Sequence, residues 1–155
     1  IYMEKVSLKL YEFYNLEAEL NGVTNRENGE VTSKGLLAEK LKLTTKYWIG
    51  DLAKKAAGEK EAVEAIKQDL IKKHGEADDQ GNVSIPMYIN VVTDEDGQTV
   101  SRDINPKFVE FQNEFNALLN EEKEIEHKEF QLEEFENVET EGAYVTFLKL
   151  VKVPE

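Results

Sequence analysis

From Ser33 to His74 the chain runs forty-two residues without a proline, and whatever else it folds into must be built around that stretch. Leu37, Leu41, Trp48, Leu52, Ala56, Val63, Ile66 and Leu70 recur at steps of three, four, seven or their sums, which puts them on one stripe of a helix. Ser33 reads as its N-cap and Gly75 as the residue just past its end. Lys72, Lys73 and His74 sit where cations favour the C-terminal dipole. A continuous helix of this length spans roughly 60 Å at about 1.5 Å per residue, more than the width of a compact domain of this size. It must therefore protrude, bend or pair, and Gly50, Gly58 or the Leu43-Thr44-Thr45 step are the expected places for a break.

The charge is distributed unevenly. The net charge is −13 over 155 residues, yet Ser33–His74 holds ten lysines against six acids, a local +4. Between Glu110 and Glu141, twelve glutamates face only Lys123 and Lys128. The central stretch is thus a mildly basic element in an acidic chain, and whatever meets it should be acidic. Only Arg26 and Arg102 are arginines. That scarcity and the overall charge argue against direct reading of nucleic acid, because bidentate contacts to bases and phosphates usually fall to arginine. An acidic surface that imitates a polyanion is the sharper alternative.

The chain is long enough to bury a core and short enough for one domain, so 1–155 is read as a single domain, with Ile1 and Tyr2 before Met3 as a leader. The absence of cysteine removes disulfides, thiolate metal sites and cysteine nucleophiles. No run approaches the roughly 18 apolar residues of a membrane span, and a cytoplasmic location, with no membrane contact, is the expectation.

The flanks read as short elements. Residues 4–10 alternate as a strand, and Tyr11 to Asn21 switch to helical spacing that ends at Gly22. Residues 23–32 form a polar loop or small hairpin leading into the central stretch. A β-hairpin is expected over 83–104: Val83, Ile85, Met87, Ile89 and Val91 alternate, Asp94-Glu95-Asp96-Gly97 turns the chain, and Val100, Arg102 and Ile104 return, with Pro86 marking an edge or a bulge. Asn105-Pro106 is a strong helix start, and Phe108, Phe111, Phe115, Leu118 and Leu119 then share one face, expected to be core. A bulged strand follows over 123–132, then one helical turn over Leu132–Phe135. Residues 144–153 read as a strand, with a short helix from Thr140 as the alternative. The fold class is α+β: a long central helix, straight or kinked, with shorter helices packed on a small antiparallel sheet.

Chemistry-bearing motifs are sparse. His74 and His127 lack the spacing of a zinc site, and no metal or cofactor is expected. Asp94-Glu95-Asp96-Gly97 resembles part of a calcium loop, but counting back from Gly97 puts Val92 where the first ligand belongs. Glycine-rich phosphate cradles and the nucleophile elbow are missing. Glu121, Glu122, Glu124 and Glu126 offer carboxylates without evident convergence, so a hydrolase is the lowest-ranked reading. The central lysines could instead hold a compact anionic ligand between subunits, and Arg26, Arg102, Lys46 and Trp48 are the candidate binding residues.

The N-terminal strand and helix, the lysine-rich stretch to Lys72-Lys73-His74-Gly75, and Phe111–Leu119 followed by Asn120-Glu121-Glu122 and Glu124-Ile125-Glu126 together resemble small proteins of unknown function encoded in bacteriophage genomes. The resemblance implies an accessory protein, a virion or assembly component or one that acts on the host by binding, and it carries no functional residues. The expectation is therefore a non-enzymatic homo-oligomer in the host cytoplasm. It would occupy a host protein or sequester a small anionic ligand such as a nucleotide, with the long helix and the hairpin edge making the subunit contacts.

Overall fold

A computed structural model describes residues 2–139 and 144–154. In chain order the elements are β1 (Met3–Lys9), α1 (Leu10–Asn21), β2 (Val23–Thr24), β3 (Val31–Ser33), a 3₁₀ turn (Leu36–Ala38), α2 (Leu43–His74), β4 (Glu76–Ala77), β5 (Val83–Ser84), β6 (Tyr88–Thr93), β7 (Thr99–Ile104), α3 (Pro106–Leu119), β8 (Glu122–Lys128), β9 (Phe130–Gln131), a second 3₁₀ turn (Leu132–Phe135), α4 (Val145–Leu148) and β10 (Val151–Lys152). The class is α+β, but the strands form five two-stranded sheets rather than one small sheet: β1–β8, β2–β3, β4–β5 and β6–β7 are antiparallel and β9–β10 is parallel.

The chain divides into two compact units, Ile1–Glu61 with Asn120–Glu155, and Ala62–Leu119. The division falls inside α2. In the first unit the apolar face of α1 (Phe13, Leu16, Leu20) meets Ile49, Leu52, Ala53 and Ala56 of α2, Leu8 and Ile125 of the β1–β8 pair, and Phe147, Leu150 and Val151 near the C-terminus. Phe130, Phe135 and Phe147 form an aromatic cluster at its centre, with ring centroids 5.3–6.1 Å apart in tilted and edge-on arrangements.

The long helix starts at Leu43, ten residues later than the Ser33 cap predicts, and Ser33 ends β3 instead. The cause is a backbone approach that only glycine permits. Gly22 and Gly35 both adopt positive φ (85° and 83°), and a Cβ at Gly22 would lie 2.5 Å from the Ser33 carbonyl oxygen. This seats the β2–β3 hairpin against the end of α1 and places Leu36 in the core, so residues 33–42 cannot join the α-helix. Once started, α2 runs unbroken for 32 residues through Gly50 and Gly58. The helical stripe is borne out at Leu52, Ala56 and Val63, whereas Ile66 is 44% exposed.

The second unit differs most from expectation. The Val83–Val91 strand is broken at Pro86: Val83–Ser84 pairs with Glu76–Ala77, and the hairpin proper is β6–β7. Proline cannot donate the ladder bond that would join the two segments. Asn105 does cap α3, its Oδ1 accepting the Lys107 N–H at 3.1 Å while its Nδ2 donates to the Pro86 carbonyl at 2.8 Å. The aromatic stripe of α3 lies on one face, but no residue of α3 is buried. Phe108, Phe111, Phe115, Leu118 and Leu119 are half-buried, with Phe111 and Phe115 stacked at 5.8 Å. They are not core because this unit offers α3 little to pack on: Val63 and Asn105 are its buried residues.

At the C-terminus, Val145–Leu148 forms a helical turn where a strand was expected, followed by a two-residue strand. The alternative helix start at Thr140 lies outside the described residues, as does Ile1 of the expected leader; Tyr2 is engaged, its carbonyl accepting the Glu129 N–H at 3.2 Å.

Candidate functional site

The four residues singled out from sequence lie on three elements. Arg26 is exposed in the turn between β2 and β3, where the Asn25 carbonyl accepts the Gly29 N–H. Lys46 and Trp48 belong to the first turns of α2. Trp48 is half-buried against the core, with Tyr47 edge-on at 5.1 Å. Lys46 lines an open cavity of about 330 Å³ with Leu43, Tyr47, Gly50, Asp51 and Lys54. Arg102 lies in β7 of the second unit, its guanidinium 3.8 Å above the Tyr88 ring, a cation–π contact.

The glutamates of the first unit serve its own backbone and lysines. Glu39 is 3% exposed and accepts hydrogen bonds from the Tyr144 hydroxyl (3.1 Å), the Glu139 N–H (3.2 Å) and Lys34 Nζ (3.5 Å). Burial by itself would raise the Glu39 carboxyl; these donors outweigh it and hold it below 4.5. The same pair pushes the Tyr144 phenol up to about 12, through burial and through the neighbouring carboxylate. Glu12 accepts the Lys9 N–H and the Lys149 ammonium (2.6 Å), and these overcome its burial to lower its pKa. Glu19 takes the N–H groups of Thr146 and Phe147 at 2.9 and 3.0 Å, and Glu134 takes the Gln131 N–H and the Thr45 hydroxyl. These carboxylates fasten the segment after β8 to α1, α2 and the Leu36–Ala38 turn. None of them was singled out from sequence. Glu12, three residues after Lys9, carries the usual mark of a helix start, but nothing local distinguishes Glu39.

Glu122, Glu124 and Glu126 are exposed along β8, where Lys5 reaches Glu124 at 4.0 Å and Glu126 at 3.8 Å. The run is therefore a solvated strand edge and face, not a convergent pair. His127 is buried, stacked on Phe130 at 5.8 Å, with Nδ1 2.8 Å from the Lys128 carbonyl. It borders a cleft of about 260 Å³ whose other walls include Glu4, Glu129, Lys149 and Lys152. Lys152 is taken by Glu129 across the cleft (3.1 Å), and Lys149 by Glu12 beyond its walls. Among the described residues no group of three or more histidine and carboxylate side chains is placed to hold a metal ion, and no helix is long and apolar enough to cross a membrane.

The second unit presents a different surface. Its α2 end and α3 are joined by Glu114, which accepts from Lys73 Nζ at 3.2 Å and sits 2.9 Å from His74 Nε2, with Glu110 3.6 Å from Nδ1. Donors from His74 and Lys73 lower the Glu114 carboxyl. On the hairpin, Val91, Val92, Val100 and Ile104 are 51–67% exposed. No protein-family model, curated protein or solved structure matches this chain. The fold and these surfaces define an α+β protein of two units, one closed on its own core and one with apolar strand faces open.

Proposed function

We propose that this protein is a non-enzymatic accessory protein of the bacteriophage type that acts by binding, and that residues 62–119 are its interaction module. The observation that carries the reading is the exposure of Met87, Val91, Val92, Val100 and Ile104 on and beside a hairpin whose edges pair with no further strand among the described residues. Several large apolar side chains exposed on a strand pair with open edges are unfavourable in water and fit a docking segment. The first unit supports it in another way: its half-buried and buried carboxylates are engaged by backbone donors and lysines, so they act as fasteners for the scaffold. The partner of the module is a protein surface, because an extended strand edge recognises backbone as readily as side chains.

The variant Val91→Ser/Val92→Ser/Val100→Ser tests this. If these faces are open, loss of strand propensity costs at most about 1 kcal/mol per replaced valine in dilute solution, while association measured by light scattering falls. A loss several times larger would mean that the valines are packed within the chain, and the reading would fail.

A second reading, capture of a small anionic ligand, is favoured by the cavity between Lys46 and Lys54 beside the exposed Leu43 and Tyr47. Its volume is at the small end for ligand sites, which run from about 300 Å³. A nucleotide bound there would raise the thermal midpoint by mass action, and Lys46→Ala with Lys54→Ala would abolish the rise.

A further inference from the structure

We infer that the first turns of α2, with the segment leading into them, are a docking face for an acidic, apolar-bearing segment of another protein. The face lies within the first unit, so the inference is independent of the hairpin. With the small-anion reading it shares only the premise that Lys46 and Lys54 meet an anion. Leu43 is 85% exposed and Tyr47 67% exposed. Leu43, Tyr47, Gly50 and Lys54 follow at steps of four, three and four, so they form one stripe of α2, on the side the core does not cover. A Cβ at Gly50 would meet nothing within 4 Å. Lys46 borders the stripe in the wall of the same cavity, and Lys40 and Lys42 are exposed just before the helix.

The lysines set this face apart. Their neighbours along the chain are answered by carboxylates: Lys34 by Glu39, Lys55 by Asp51 and Lys60 by Glu17. Lys40, Lys42, Lys46 and Lys54 reach no carboxylate within 4.0 Å among the described residues, and Asp51, the acid in the same cavity, is held by Lys55 at 3.3 Å. In a chain of net charge −13, acids to pair with them are not scarce. Nor do these lysines serve the helix: α2 has no acid in its first turn, and cations there oppose its dipole. Charge and apolar exposure that bring folding no gain point to a use outside the chain. Lys42 to Lys54 spans about 18 Å at the helical rise of about 1.5 Å per residue, more than a single anionic group covers. Leu43 and Tyr47 lie between them, beside an open cavity of about 330 Å³, and call for an apolar side chain among the acids. A duplex or an anionic membrane would extend past the face and meet the acidic remainder of the chain, whereas a short acidic segment ends where the lysines end. An amphipathic acidic helix laid along α2 supplies both kinds of contact.

The test is fluorescence anisotropy with the full chain and a labelled peptide of about twelve residues, glutamate and aspartate with two leucines and a phenylalanine on one helical face. The peptide should bind with a Kd of about 100 µM or tighter, more weakly as salt is raised. Lys42→Glu/Lys46→Glu/Lys54→Glu should weaken it at least about tenfold. The same variant should keep or raise the thermal midpoint, because acids suit a helix start, so loss of folding could not produce the result. Tyr47→Ser, which changes no charge, should weaken the peptide several-fold, and a peptide of glutamate alone should bind less well than the apolar-bearing one. Reversing the exposed Lys5, Lys123 and Lys152 instead, an equal change in net charge, should leave binding unchanged. No binding of the peptide overturns the inference, as does binding indifferent to the lysine and tyrosine variants. Tighter binding of ATP, of an oligothymidylate of the same length or of phosphatidylserine vesicles, lost in the lysine variant, overturns the choice of occupant. A dimer of the unmodified chain in light scattering that the lysine variant abolishes would make the occupant a second copy and overturn it too. None of these outcomes touches the interaction-module reading, which stands or falls on the hairpin serine variant.

Discussion

Replacing Glu39 by alanine should be the most damaging single change to a charged residue in the first unit. The side chain of Glu39 is 2% exposed and joins three parts of the chain: the Leu36–Ala38 turn on which it sits, the Glu139 backbone and the Tyr144 ring. Alanine removes the acceptor of the Glu139 N–H and the Tyr144 hydroxyl; Glu139 is exposed and Tyr144 half-buried, so each loss costs about 1 kcal/mol. The Lys34 contact adds less than about 1 kcal/mol, because that lysine is 42% exposed at 3.5 Å. Relief of the carboxylate's own desolvation offsets part of the loss. The expected net cost is about 1–2 kcal/mol, which for a chain of this length lowers the thermal midpoint by roughly 2–8 °C. Chemical denaturation read by near-ultraviolet dichroism measures it. Glu39→Gln keeps one carbonyl acceptor and should cost about half as much, and Tyr144→Phe about 1 kcal/mol. A double-mutant cycle between positions 39 and 144 should show coupling. If Glu39→Ala lies within about 0.5 kcal/mol of the parent, or if the cycle is additive, the buried carboxylate is not the fastener argued here.

The same network predicts two pH limits. Glu39 and Glu12 have folded pKa values below 4.5, so their stabilisation is present above that value and is lost as pH falls through the folded pKa; acid unfolding should move to higher pH when Glu39 is replaced by Gln. Tyr144, raised from 10.0 to about 12, contributes stability that is full below 10 and lost as pH rises toward 12, and its tyrosinate absorbance should appear at lower pH in Glu39→Gln. Gly22→Ala should cost at least about 2 kcal/mol, from the strained positive φ together with a Cβ forced onto the Ser33 carbonyl, whereas alanine at Gly29, with open space around it, should cost about 1 kcal/mol for its φ alone. Phe147→Ala, which empties the centre of the aromatic cluster, should cost about 3–5 kcal/mol by the same denaturation assay.

Local signals proved reliable wherever the structure is local. Asn105-Pro106 starts α3, Gly22 follows the end of α1, Asp94–Gly97 turns a hairpin, and Leu132–Phe135 makes its single helical turn. Each of these depends on neighbours within four residues, so spacing and residue type suffice. The start of α2 was misplaced because its cause is not local: Gly35 must meet Gly22 across the β2–β3 hairpin, and periodicity over 33–42 carries no trace of that approach. For the same reason Lys46 could be named a candidate from the lysine count, whereas Glu39, Glu19 and Glu134 could not. Their partners lie 100, 127 and 128, and 89 residues away along the chain.

What the sequence determined by itself is the class, the existence of a long helix ending at His74 and the amphipathic faces, because side-chain period and capping chemistry follow from a few consecutive residues; where that helix starts and that it runs unbroken were decided by the tertiary structure. Which of those faces is covered was decided by tertiary structure. α1 and the stripe of Phe108, Phe111 and Phe115 have the same kind of pattern, yet Phe13, Leu16 and Leu20 are enclosed and the phenylalanines of α3 are only half-buried. Burial depends on what else the fold brings to a face, and residues 62–119 bring too little. The hairpin is left with exposed valines, and that shortage of internal partners is the physical reason to look for a partner outside the chain.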